Sequence, residues 1–223
     1  MTDSLAEPLK IDLVSDVMCP WCIVGYRQLE KALQASGTKA DITWHPFELN
    51  PQMPQDGQNF REHMMEKYGT TPEESARNRE HMTQAGADVG FTFNFDDNMR
   101  MVNTFLAHQL LHWAEEQGKQ HELKMELFDV HFTQQQNVND IEVLASAAER
   151  VGLDKATSLD LLKDQRFASA VRESQKFWMQ QGIQSVPATV VNRRHLINGA
   201  QGEANFTQLL KQLALEESEQ QAD

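Results

Sequence analysis

The chain has two cysteines in 223 residues, too few for a framework of structural disulfides, and both fall in one stretch, Cys19-Pro20-Trp21-Cys22. It has no apolar run long enough to cross a bilayer. Its start, Met1 to Pro8, is polar and acidic where a secretory leader would carry a basic opening and an apolar core. The expectation is a soluble, cytoplasmic protein with no membrane association. A basic block is also missing: 20 Lys and Arg stand against 33 Asp and Glu, a formal net charge of -13. That balance excludes a general binder of nucleic acid or anionic membrane. With 40% hydrophobic residues, the chain can build the core of one large domain or of a domain with an insertion.

What is there centres on the two cysteines. Residues three apart on a helix share a face, and their separation suits a disulfide that opens and closes with little backbone movement. Leu9 to Val14 alternates as a strand does, and Pro20 suits the first position of a helix because it needs no amide partner. Cys19 then falls at the N-cap, where free amides and the helix dipole favour a thiolate. Cys19 is therefore expected to attack and Cys22, deeper in the helix, to resolve. Two other readings compete. A structural disulfide across one turn would close a loop too small to constrain the unfolded chain much, and a zinc site would need histidines to complete its four ligands.

Along the chain, 9–17 reads as a strand, the segment from Pro20 to Gly37 as a helix, and 41–49 as a second strand. The cysteines thus lie at the C-terminal end of the first strand, the edge where sites of open α/β sheets collect. Pro51, Pro54 and Gly57 mark a composition break. Helical patterns then follow at 58–68, 73–89, 99–117, 119–134, 140–151 and 156–181, the last broken near Asp164, with Asp140 as an N-cap. Residues 188–191 and 196–200 read as a hairpin around 192–194. Phe206, Leu209, Leu210 and Leu213 form one face of a closing helix, whose end from Glu216 is expected to fray. The division is a discontinuous domain, 1–50 with 183–223, and a helical insertion, 51–182.

His108 and His112 are four apart on one helix, a metal-site spacing, but no carboxylate pattern completes a ligand set, and no metal is expected. Methionines such as Met53, Met64, Met82 and Met99 in the insertion suit either core filling or an adaptable surface, and core filling is favoured.

This order of elements resembles the thioredoxin fold with the helical insertion of DsbA-like oxidoreductases, in particular their FrnE-type cytosolic branch. The matching residues run nearly end to end: Ser15-Asp16 through Cys22 and Gly25, Phe47-Glu48-Leu49-Asn50-Pro51, Asn103-Thr104 with Ala107-His108, Phe128 with Phe132-Thr133, Val186-Pro187, and Asn198-Gly199-Ala200-Gln201. The resemblance implies a cis bond at Pro187 and a Val186 backbone able to pair with an extended substrate, a role an exposed strand-like segment suits. Pro20 and Trp21 are implied to border the substrate, and Asn103 and His108, in the helical cap, to contact it. One departure stands out. Many thioredoxin-fold proteins bury an acid six residues before the first cysteine; here that position is Leu13, and Asp16 is the nearest acid.

The function expected is thiol-disulfide exchange with protein or small-molecule substrates, without a cofactor, and with glutathione as a candidate redox partner. A kappa-like glutathione transferase or isomerase is the rival enzyme, which typically has serine in place of the nucleophilic cysteine. A CxxC metal carrier or a holdase is the rival binding protein. Direction, potential and oligomeric state are not legible.

Overall fold

The computed structural model describes residues 8–220, with side chains described as far as Leu213. The readings made on residues 1–7 and 221–223, and on the side chains beyond Leu213, lie outside these bounds. Strand β1 (Leu9–Ser15) is buried throughout except at Lys10. Such a pattern belongs to a strand flanked by neighbours in the sheet and covered on both faces. It pairs in parallel with β2 (Ala40–Pro46), Leu13 opposite Trp44, and antiparallel with β5 (Ala188–Val191). A turn through Asn192 leads back into β6 (His195–Asn198), and the sheet order is β2-β1-β5-β6.

Helix α1 (Pro20–Ser36) crosses from β1 to β2 and ends at Gly37, whose φ of 68° is the left-handed conformation a glycine supplies. Helix α9 (Glu203–Gln220) packs beside it. These two helices and the strand side chains Ile11, Leu13 and Trp44 share the main core with Phe206, Leu210 and Leu213. On the opposite face Val14, Ala188 and Val190 meet Trp178 and Ile183 in a second, smaller core.

Between β2 and β5 lie β3 (Gln58–Asn59), α2 (Phe60–Tyr68), α3 (Pro72–Asp88), β4 (Arg100–Met101), α4 (Phe105–Glu116), α5 (Gln120–Phe132), α6 (Ile141–Arg150), α7 (Lys155–Lys163) and α8 (Ala168–Gln180). Side-chain caps start several of them. Thr71 and Glu74 form a reciprocal capping box, and Asn59, Asp140 and Asp154 each accept a first-turn amide. Each such cap is worth about 1 kcal/mol. Met82, Met99 and Met101 are buried in the main core, the role favoured from the sequence.

Two boundaries differ from the sequence pattern for a local reason, and a third break falls where that pattern put it. The first strand stops at Ser15 because Asp16 folds the chain into a turn: its carboxylate accepts the Met18 amide at 3.2 Å and its carbonyl the Cys19 amide at 3.1 Å. The helix expected from residue 99 begins at Phe105, since Arg100 and Met101 pair with Asn59 and Gln58 in a two-residue ribbon. Gly57 makes that ribbon possible: its φ is 69°, and a Cβ there would strike the Met101 carbonyl. Finally, 156–181 is two helices, broken between Lys163 and Ala168, as the pattern near Asp164 indicated.

Candidate active site

The Asp16 turn delivers Cys19 to the start of α1. Cys19 is the N-cap residue, with φ -93° and ψ 110°, and Pro20 occupies the first helical turn. Its sulfur makes no capping hydrogen bond to the helix amides. It points across to the Val186 carbonyl instead, at 3.7 Å, as a thiol donor. The Val186–Pro187 bond is cis. Helix and loop approach so closely that a methyl group on Gly25 would lie 3.4 Å from Ala200 and 3.5 Å from the Pro187 ring. The Gly199 amide in turn donates to the Pro187 carbonyl at 2.8 Å, which ties the loop to the end of β6. Gly25, Val186-Pro187 and Gly199-Ala200, scattered in sequence, thus meet beside Cys19.

Both cysteines are free thiols, 4% exposed at Cys19 and 1% at Cys22, the order expected although both are buried. Their electrostatics are coupled. The hydrogen bond with Cys22, then burial, then the negative charges of Cys22 and Asp16 hold the Cys19 thiol well above its ordinary range. Burial also pushes the Cys22 thiol up. The Cys19 thiol, the Ser15 hydroxyl and the Lys124 charge more than offset this, and the net direction at Cys22 is down. The two thiols share a hydrogen bond and titrate as one coupled pair, in two steps.

Asp16 is 1% exposed and fully engaged. Its Oδ2 accepts the Leu49 amide at 2.7 Å, its Oδ1 accepts the Met18 amide, and His108 Nε2 stands 3.6 Å from Oδ1. Burial pushes its carboxyl up, but the His108 bond and charge, the Leu49 amide and Lys124 bring it below the usual carboxylate value. Leu13, at the position many thioredoxin-fold proteins give to an acid, is packed in the apolar core.

His108, expected from the resemblance to contact substrate, lies in the interior. It is 3% exposed, its Nε2 donates to the Phe47 carbonyl at 2.8 Å, and the same nitrogen stands 3.6 Å from Asp16. His112 does not join it, stacking on Phe167 instead. Asn103 accepts the Phe105 amide at 2.8 Å and so holds the start of α4. Trp21 is half-buried, its ring 5.4 Å from that of His81 on α3, which places the helical insertion directly over the dithiol. Among the described residues, no group of three His, Cys, Asp or Glu is arranged to hold a metal ion.

Two residues of α5 were missed from the sequence. Gln120 accepts the Trp44 amide and donates to the Trp44 carbonyl, both at 2.9 Å. One turn on, Lys124 is 1% exposed, with Nζ 5.3 Å from the Trp44 ring centroid and 5.0 Å from that of Phe128. Burial brings its ammonium down to about 8 against the pull of Cys22, Asp16 and Cys19. The available signal was a lysine set in the apolar stripe of Leu123, Leu127 and Phe128.

Comparison with known proteins agrees with this geometry. The chain is 28% identical to an uncharacterized protein, YwbO, of Bacillus subtilis strain 168, over 88% of this chain and 92% of that one. It is similar to the crystal structure of a probable DsbA oxidoreductase, SCO1869, from Streptomyces coelicolor, with a TM-score of 0.86, 31% identity, and coverage of 92% and 89% of the two chains. The cytosolic disulfide reductase DsbM of Pseudomonas aeruginosa, solved with GSH, shares the fold at a TM-score of 0.64 and 16% identity, over 92% of this chain and 99% of that one. Residues 10–211 match the model of the DSBA-like thioredoxin domain. With a two-cysteine helix start facing a Val-Pro loop and a match over nearly its whole length, the chain belongs to the DsbA-like thioredoxin domain family.

Proposed function

We infer that this protein is a thiol-disulfide oxidoreductase working through Cys19 and Cys22. The observation that carries the reading is the placement of the Cys19 sulfur, at a helix start and 3.7 Å from the Val186 carbonyl. An extended substrate lying along that loop would bring its own sulfur to Cys19. Cys19, the sulfur that faces the Val186 carbonyl, attacks a substrate disulfide as its thiolate, forming a mixed disulfide and releasing the first substrate thiol. Cys22 then attacks the mixed disulfide, closing Cys19–Cys22 as the second substrate thiol leaves. Two electrons move from the dithiol to the substrate, and the cycle run backwards oxidises a dithiol substrate.

The cytoplasm is the setting this reading favours. Both cysteines of the chain are in the redox pair, and a transient catalytic disulfide suits a reducing compartment. Among the described residues, no helix is long and apolar enough to cross a membrane. Because DsbM is a disulfide reductase solved with GSH, glutathione is the first small thiol to try as redox partner.

The test is covalent trapping. Cys22→Ser removes the resolving thiol, so adducts with substrate proteins and with a model disulfide peptide should persist on a non-reducing gel and collapse on adding dithiothreitol. Cys19→Ser should form none. If Cys22→Ser shows no more adducts than the double serine variant, the dithiol mechanism is wrong, and a glutathione transferase or a noncovalent binder becomes the better reading.

A further inference from the structure

The sheet runs β2-β1-β5-β6, so β6 is a border strand. Its backbone groups alternate in direction, as an antiparallel ladder requires. The Gly199 amide donates to the Pro187 carbonyl, and Ala188 to Val191 stand opposite Asn198 to His195. Counting back in twos from Gly199, Ile197 and His195 turn their N–H and C=O towards β5, while Leu196 and Asn198 turn theirs outward. The Gln201 amide takes the Asn198 carbonyl. The N–H and C=O of Leu196 face away from the sheet, the arrangement that a further strand extends.

Beside that edge lies an apolar groove. The Leu196 side chain, opposite Val190 in the register, lines it together with Phe177 of α8. Leu196 is 46% and Phe177 48% exposed, two of the five large apolar side chains that the described residues leave in solvent. Trp178, Ile183 and Val190, all buried, form the floor. Phe177 packs edge-on against Trp178, ring centroids 5.2 Å apart, which gives the groove a firm wall. Charge marks one end. Arg193 and Arg194 line the groove and no Asp or Glu does, in a chain whose formal net charge is -13. The turn that carries them is tied down by the Asn192 amide, which donates to the Lys10 carbonyl at 2.8 Å. Arg193 reaches back, its Nε 4.0 Å from Asp12. Arg194 forms no ion pair among the described residues.

We propose that the β6 border is a docking site for an extended, acidic segment of a partner protein. The segment adds as a strand along Leu196, sets an apolar side chain between Leu196 and Phe177, and brings a carboxylate to Arg194. Main-chain bonds supply the affinity, and the groove with its arginines selects the sequence. A second copy answers this charge poorly: pairing β6 with β6 offers Arg194 no carboxylate, because residues 192–202 contain no Asp or Glu. The site is separate from the dithiol. Cys19 faces Val186, and Val190 lies four residues further along the chain, about 13 Å in an extended strand. Docking here involves no exchange chemistry and stands whether or not the dithiol reacts.

The probe is a peptide, Glu-Thr-Val-Thr-Glu, labelled with fluorescein at its N-terminus and amidated at its C-terminus. As a strand it puts Val and both Glu on one face. Fluorescence anisotropy against the full-length protein gives Kd. Binding should saturate, and replacing both Glu by Lys should weaken it at least about tenfold. Arg194→Glu should reverse that preference, and Leu196→Asn should weaken binding of the Glu peptide at least about tenfold. Reduction of a small disulfide should change less than about twofold in either variant. At saturation, hydrogen exchange at the Leu196 amide should slow at least about tenfold. No saturable binding, an affinity indifferent to Glu or Lys, or an unchanged Leu196 amide would each overturn the proposal. So would a concentration-dependent dimer that Leu196→Asn dissolves in sedimentation, since it would give the border to a second copy. If Leu196→Asn does not fold, the Arg194→Glu reversal and the exchange at Leu196 decide.

Discussion

The Cys19 thiol is a hydrogen-bond donor to the Val186 carbonyl, 3.7 Å away and on the far side of the chain in sequence. The same thiol is hydrogen-bonded to Cys22, and burial with the negative charges of Cys22 and Asp16 also raises it, so the two cysteines titrate as one coupled pair.

The dithiol should therefore titrate in two separated steps, the first below and the second well above the about 8.5 of a free thiol. In Cys22→Ser the neighbouring anion is gone, and the serine hydroxyl can donate to a Cys19 thiolate. Its single step should fall below the second step of the wild type. Thiolate absorbance against pH checks this, and one unsplit wild-type transition near 8.5 would contradict it.

Asp16→Asn should destabilise the fold at neutral pH by about 1–3 kcal/mol, because an amide offers one acceptor oxygen where the Met18 and Leu49 amides now donate to two. The pH dependence has a definite sign. The folded carboxyl lies below its ordinary value, so its stabilisation is complete above the unfolded value and is lost as pH falls through the folded one. Denaturant unfolding of both proteins should show a gap that persists from neutrality to about pH 4 and narrows only below it.

Gln120→Ala should cost about 2 kcal/mol, since it strips partners from the buried amide and carbonyl of Trp44. Hydrogen exchange at the Trp44 amide should quicken with it. Unchanged stability and unchanged exchange would mean that water replaces the side chain without loss.

Gly57→Ala should be among the harsher single substitutions in the insertion, at about 1–3 kcal/mol, because it combines a left-handed backbone with a collision at the Met101 carbonyl. Thermal unfolding measures this. A shift within error of zero would show that the β3–β4 ribbon gives way without cost.

The parts of the site written in neighbouring residues were legible. Pro20 after Cys19, Gly37 closing α1 and Asp140 opening α6 act through their own turns, and a local pattern is sufficient to read them. Val186-Pro187 was legible through resemblance alone. The β3–β4 ribbon escaped because two residues are too short for any period. Gln120 and Lys124 escaped for a different reason. Each sits on an ordinary helical face, and only the packing of α5 against the sheet turns a half-polar stripe into an interior cluster around Trp44.

Gln120 has one more consequence, for the company the sheet can keep. Strand β2 is the border of the sheet, and the outward N–H and C=O of Trp44 are what a foreign strand would seize first. A side-chain amide occupies both. That border is closed to strand addition at its centre, so neither a second copy nor another extended chain can lengthen the sheet there.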